Sequence, residues 1–152
     1  MTPLLEVVYN FSMPEYRFYQ PIEIRYGDLD PQGHLNNAKY LTFMEQARIN
    51  YVKHLGLWNG GSFLEIGIIL AEIGITFRAP VLFGQPVRVG ARVTRLGNKS
   101  MTMDYRMEDS QNGQELAAGT SVVVAYSYRE EKSIPIPEHW RQAIKDFEGL
   151  SA

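Results

Sequence analysis

Two carboxylates, Asp28 and Asp30, stand with a single residue between them in this chain. Pro31, Gly33 and His34 follow, and Asn36-Asn37 then opens a strongly apolar run. Asp before Pro and Gly is turn chemistry, and Asn is a good first residue for a helix. A carboxylate in such a turn lies beside backbone N–H groups that the first turn of a helix leaves without partners. There it can attack a carbonyl carbon, or aim water at it, while the N–H groups stabilise the negative charge that develops on oxygen. A thioester suits this arrangement, because a thiol with a pKa of about 8.5 leaves readily as thiolate and needs no strong acid.

Other chemistries fit less well. Asp28, Asp30, Gln32 and Gly33 imitate the opening of a calcium loop, but the twelfth position is Lys39 where a bidentate Glu is required. His54 and His139 lie far from Asp28, Asp30 and His34 in sequence, so no metal is expected. The chain has no Cys, which removes thiol nucleophiles and disulfides and suits the cytoplasm. It contains no Gly-x-Ser-x-Gly elbow, no Gly-x-Gly-x-x-Gly and no Walker sequence. Taken singly, Asp28, Asp30, Gly33 and the Asn pair are ordinary turn and cap residues; the functional reading depends on their combination.

The elements that must position these residues are marked by periodicity. Tyr16 to Tyr26 alternates, with Phe18, Ile22, Ile24 and Tyr26 on one side of a half-buried strand. A helix is predicted from about Asn37 to Leu55, capped by Asn36 or Asn37 and ended at Gly56. Its apolar face, from Tyr40 through Met44, Ala47 and Tyr51, is wide enough for a helix enclosed by other structure. Strands are predicted over Ile66 to Arg78, Val87 to Leu96, Met101 to Met107 and Glu115 to Arg129, with turns at Gly97-Asn98 and Asn112-Gly113. Their hairpin links imply an antiparallel sheet. A short helix from about 137 to 148 closes the chain, with Trp140, Ala143, Ile144 and Phe147 on one face. One enclosed helix followed by successive strands is an α+β arrangement, a sheet wrapped around a helix.

The totals agree with one domain over 1–152, its core at about 16–129. With 15 Lys and Arg against 17 Asp and Glu, and no basic cluster in sequence, nucleic acid is not an expected partner. The run from Met1 to Tyr9 lacks a basic region and is not expected to be a signal peptide. The apolar stretch Ile66 to Ile75 is broken by Glu72, so no membrane span is expected.

The segment Asp28-Leu-Asp30-Pro-Gln-Gly33-His34-Leu-Asn36-Asn37-x-x-Tyr40, continued by Glu45, Ala47 and Arg48, resembles the signature of hotdog-fold acyl-CoA thioesterases. The branch is that of 4-hydroxybenzoyl-CoA thioesterase and its long-chain acyl-CoA relatives. Ile73 to Gly84 is similar to that family's second strand and turn, and Leu96 to Ser100 to a later hairpin turn. The resemblance implies a five-stranded antiparallel sheet around one long central helix, in homodimers or homotetramers with active sites between subunits. It implies that Asp30 is the catalytic aspartate, as nucleophile or as general base, and that backbone N–H groups near His34, Asn36 and Asn37 polarise the carbonyl. Tyr40 belongs to the same substrate site. Arg78, Lys99 and Ser100 fall where relatives meet the CoA phosphates and pantetheine arm, although they also suit a plain polar hairpin end. No separate cofactor is implied, since CoA is part of the substrate, and an acyl-carrier thioester is an equivalent substrate class. His34-Leu-Asn-Asn leans towards the aliphatic-acyl relatives.

Two other roles compete with hydrolysis. A non-catalytic acyl-CoA-binding module would have little use for an intact Asp30. A 3-hydroxyacyl thioester dehydratase would want a catalytic His ahead of a helix bearing an acid, which His34 and Glu45 imitate loosely. Glu45 with Arg48 at i+3 is expected to form an ion pair on the less apolar side of the helix.

Overall fold

Alternating Val, Met and Ala residues build one curved wall. The computed structural model describes residues 16–62 and 66–151; the predicted absence of a signal peptide at Met1 to Tyr9 lies outside them. The order is β1 (Tyr19–Ile22), α1 (Asn37–His54), β2 (Ile66–Phe77), β3 (Val87–Leu96), β4 (Ser100–Asp109), β5 (Glu115–Ser127), β6 (Lys132–Ser133) and α2 (Glu138–Glu148). The strands pair antiparallel in the order β1-β3-β4-β5-β2, and the two-residue β6 adds to β5. Val87, Val89, Ala91 and Val93 of β3 and Met101, Met103, Tyr105 and Met107 of β4 all point inward and are buried. Period-2 alternation puts every second residue on one face, so the same strands turn Arg88, Arg92, Asp104 and Arg106 outward.

Against the inner wall lies α1, packed over β3 and β1. Its buried stripe holds Tyr40, Phe43, Met44, Ala47, Tyr51 and Val52, each large side chain contributing about 1.5–3 kcal/mol. The helix approaches β5 closely at Gly119, where a Cβ would meet Met44 Sδ at 2.9 Å and Gly74 O at 3.2 Å. Asn36 caps α1 as expected, its side chain accepting from Ala38 N at 3.0 Å, and Gly56 follows in the left-handed region at φ +74°.

Two expectations need correction. The predicted strand from Tyr16 to Tyr26 is regular only over Tyr19–Ile22. Asp28 accepts from Arg25 N at 2.9 Å and folds residues 26–28 into a 3₁₀ turn, which breaks the alternation and leaves Tyr26 82% exposed. Arg48 does pair with Glu45, at 3.8 Å, but it faces the core. Its Nη1 donates to Tyr105 OH at 3.2 Å, and that hydroxyl pairs with Ser121 Oγ at 2.7 Å. A buried guanidinium needs such acceptors, and β4 and β5 supply them.

The C-terminal helix is tied down by Glu148. The β3–β4 register slips between Val93 and Arg95, and Glu148 Oε1 accepts from Val93 N at 3.3 Å and from Tyr51 OH at 2.7 Å. Burial pushes the Tyr51 hydroxyl well above its ordinary pKa, and the Glu148 carboxylate adds to that. Glu148→Ala is expected to lower unfolding stability by about 1–3 kcal/mol, because it strands a buried hydroxyl and a strand N–H. Urea denaturation of the two proteins checks this; coincident midpoints would show that α2 is held by Trp140 and Ile144 alone. No helix among the described residues is long and apolar enough to cross a membrane.

Candidate active site

The loop from Leu29 to Asn36 is held by its own backbone. Asp30 N donates to His34 O at 2.8 Å and Gly33 N to Asp30 O at 3.0 Å, with Gly33 at φ +78°, where a side chain would be strained. Leu35 N donates to Val81 O and Asn36 N to Asp28 O, both at 2.8 Å. Buried Leu35 and Val81 anchor this small ladder in the core. The loop is therefore a rigid platform at the mouth of α1.

The two carboxylates of this platform have different work. Asp28 is 1% exposed and accepts from Arg25 N, Nε and Nη2, with Lys39 Nζ at 3.6 Å. The hydrogen-bonded Arg25 guanidinium holds the Asp28 carboxyl below the ordinary carboxylate range against the opposing effect of burial, and Lys39 adds a smaller pull. Asp30 is half-buried. Its Oδ1 accepts from Gln32 N at 2.9 Å and from His34 N at 3.2 Å. Its Oδ2 has no protein hydrogen bond among the described residues. One oxygen shapes the turn, and the other is open to a ligand.

Asp30 borders a cleft of about 350 Å³, lined also by Gln32, His34, Asn37, Tyr40, Phe77 and Arg78. Tyr40 and Phe77 meet edge to face with centroids 4.9 Å apart and form an apolar wall. Burial raises the Tyr40 hydroxyl above its ordinary pKa, the Val81 N–H opposes that, and the Asp30 charge adds to it. Arg78 sits at the rim, 3.5 Å from Glu115. At the head of α1, Ala38 N and Lys39 N bond to Asn36, whereas Asn37 N has no protein acceptor among the described residues. An uncommitted N–H at the positive end of a helix is a donor for developing negative charge. A larger groove of about 520 Å³ lies on the outer face of the sheet, but its charges answer one another: Arg92 pairs with Asp104 at 3.5 Å, and Thr120 donates to Asp104. The smaller cleft is the chemical one.

Of the residues singled out in the sequence, Asp30, His34, Asn37, Tyr40 and Arg78 are brought together. Asn36 is spent on the helix cap. Lys99 and Ser100 lie elsewhere: Ser100 pairs with Val124, which pairs with Ile69, whereas the cleft is at the Phe77 end of β2. Glu45 is exposed and outside the cleft, so His34 and Glu45 do not form a joint site. The wall residues Phe77, Ala79 and Pro80 are not evident as site residues from sequence; the Phe-Arg-x-Pro run beside Arg78 is the available signal.

Known proteins share this fold and much of this sequence. The family model for the thioesterase-like superfamily matches residues 24–144. The long-chain acyl-CoA thioesterase FadM of Escherichia coli K12 is 26% identical over 131 residues, covering 83% of this chain and 96% of that protein. The 1,4-dihydroxy-2-naphthoyl-CoA hydrolase of Synechocystis is 25% identical over 128 residues, covering 83% and 93%. A thioesterase from Thermus thermophilus, solved with coenzyme A and Zn, superposes with a TM-score of 0.77 at 32% identity, covering 91% of this chain and all of that one. With the wrapped sheet, the enclosed helix and a family match over most of its length, the chain belongs to the thioesterase-like superfamily of hotdog fold.

Proposed function

We propose that this protein hydrolyses acyl-CoA thioesters to a free acid and CoA, with Asp30 carrying the chemistry. The observation behind this is the pairing of a free carboxylate oxygen, Asp30 Oδ2, with an unclaimed helix N-terminal donor, Asn37 N, at one cleft. As nucleophile, Asp30 attacks the carbonyl carbon, the C–S bond breaks, CoA leaves as thiolate, and water then cleaves the mixed anhydride. As general base, it takes a proton from water while that water's oxygen attacks. Both routes place negative charge on the carbonyl oxygen, where the Asn37 N–H is preorganised to receive it. The names of the relatives support CoA as carrier. Purified protein is expected to release thiol from a panel of aliphatic and aromatic acyl-CoAs at rates above buffer; thiol release at the buffer rate across the whole panel would overturn the reading.

The proposed enzyme is a dimer or a higher assembly built through β2. Among the described residues, this 12-residue edge strand pairs only with β5. Ile69, Leu70 and Phe77 are 38%, 41% and 47% exposed, and a long, bare apolar edge demands a partner. Within one chain Ser100 aligns with Ile69, eight residues from Phe77 and about 26 Å away along the strand. An antiparallel β2 pair across a two-fold axis would turn the partner subunit's Ser100 and the partner subunit's Lys99 towards the Asp30 end. Light scattering at micromolar concentration is expected to return at least twice the chain mass, and a pure monomer would refute the assembly.

A further inference from the structure

The three most exposed large apolar side chains among the described residues are neighbours: Tyr26 at 82%, Phe83 at 60% and Leu82 at 53%. They come from two turns far apart in sequence, and the Tyr26 and Phe83 rings meet edge to face with centroids 6.3 Å apart. Exposed apolar residues scattered singly need no explanation, but three gathered at one place do. The patch also adjoins the catalytic cleft. An open hollow of about 500 Å³, lined by Leu82, Phe83, Gln85 and Gln114, shares Ala79 and Pro80 with the cleft that Asp30 borders.

Both turns are braced from beneath, so the exposure is built into the fold. The 3₁₀ turn over residues 26–28 is held by the Asp28 carboxylate on Arg25 N. In the other turn Gln85 N donates to Leu82 O at 3.2 Å, and Leu82 N donates to Gln85 Oε1 at 3.1 Å. Gln85 Nε2 donates in turn to the buried Asp109 carboxylate at 3.0 Å. Gly84 takes the φ of +79° that a type II turn requires at its third position. Phe83 is thereby fixed at the tip, where Gly, Pro, Asn, Asp or Ser is the usual choice. The charges around the patch present their cations outward. Arg25 is 69% exposed, and both it and Lys39 converge on an Asp28 that is 1% exposed. Arg78, next to Ala79, is more exposed than its partner Glu115. An exposed acid, Glu23, lies near Arg25.

Area decides what such a patch can meet. A Phe or Tyr covers about 150–250 Å² when fully buried, so three partly exposed side chains offer about 400 Å², half of the roughly 800 Å² per partner in a stable protein interface. A bilayer asks for no matching partner area. A few aromatic and Leu side chains settle at its headgroup boundary, and basic side chains beside them answer anionic lipid. We infer that Tyr26, Leu82 and Phe83 dock this protein on the surface of an anionic lipid bilayer, with the mouth of the Asp30 cleft beside the contact. The contact is peripheral and spans nothing. Docking stands on the surface alone; its use, the passage of an amphiphilic acyl-CoA from bilayer to cleft, rests on the acyl-CoA reading above.

The test is co-sedimentation of the full-length protein with vesicles of phosphatidylcholine and phosphatidylglycerol, and with vesicles of phosphatidylcholine alone. The parent is expected to bind the mixed vesicles, and to bind the neutral ones more weakly. The double variant Leu82→Ser/Phe83→Ser should bind the mixed vesicles at least about tenfold more weakly than the parent. Both replaced side chains are more than half exposed, so the melting temperature should be unchanged, as should thiol release from a short-chain acyl-CoA in solution. A parent that stays in the supernatant, or a variant that binds as well as the parent, overturns the docking surface. A variant whose mass by light scattering falls below that of the parent also overturns it, and gives the patch to a second copy of the chain. Thiol release by a parent that ignores vesicles would defeat docking alone. Vesicle binding that the variant loses, in a parent that releases no thiol, would uphold docking and defeat the hydrolytic reading alone.

Discussion

Asp30→Asn is expected to lower kcat for acyl-CoA hydrolysis by about a hundredfold or more while leaving the fold nearly untouched. Asn keeps an Oδ1 that can accept from Gln32 N and His34 N, so the turn that carries the residue should persist. What disappears is the negative charge of the carboxylate at the cleft, and with it both the nucleophile and the base. The melting temperature should move by less than about 3 °C, equivalent to about 1 kcal/mol in a domain of this size. A rate within a few-fold of the parent would remove Asp30 from the chemistry. A large fall in melting temperature would show instead that the carboxylate is chiefly a turn clamp.

Asp28→Asn should produce the opposite pattern. Asp28 is buried, and its carboxylate is matched to Arg25 N–H, the Arg25 guanidinium and Lys39. An amide offers one acceptor where two were used and turns an N–H towards a guanidinium. The expected loss is about 1–3 kcal/mol, mostly from the buried backbone and side-chain donors left unmatched, since Arg25 itself is 69% exposed and screened. That corresponds to a melting temperature about 3–9 °C lower, with a smaller loss of kcat than Asp30→Asn. The effect is pH-dependent with a definite sign. Because the folded-state pKa of Asp28 lies below its ordinary value of 3.8, the carboxylate's contribution is fully present above about pH 5 and is lost as pH falls through the lowered folded value. The gap between parent and Asp28→Asn should therefore be constant from pH 6 to 8 and close in acid. A gap that widens towards low pH would mean that Asp28 is not held ionised by Arg25.

The contrast between these two aspartates marks the limit of reading the chain as a string. Asp-x-Asp-Pro-x-Gly, followed by Asn-Asn and an apolar helix, is enough to locate a carboxylate turn at a helix N-terminus, because turn chemistry and capping act over three or four residues. The same locality makes β3 legible to the residue and α1 to within one, since period 2 and period 3.6 are written in the sequence itself. The strand before the turn reads too long because its pairing stops at Ile22, opposite the first residue of β3, and the Asp28 carboxylate on Arg25 N then turns the chain; neither is recorded by periodicity. Arg48 reads as one half of a surface pair because its partner Glu45 is three residues away, while Tyr105, which draws it inward, is 57 residues away.

By itself, then, the sequence determined the helix, the strand order along the chain, the turn that holds Asp30 and the family resemblance, all of which rest on short-range rules. Only the structure decided which Asp30 oxygen is free, that Phe77 and Tyr40 wall the cleft, and that Lys99 and Ser100 stand about 26 Å along the sheet from it. The free Asp30 oxygen is settled by backbone geometry within one turn, which residue types alone do not record; the other placements depend on sheet register and helix packing, which are set by contacts between residues far apart in the chain.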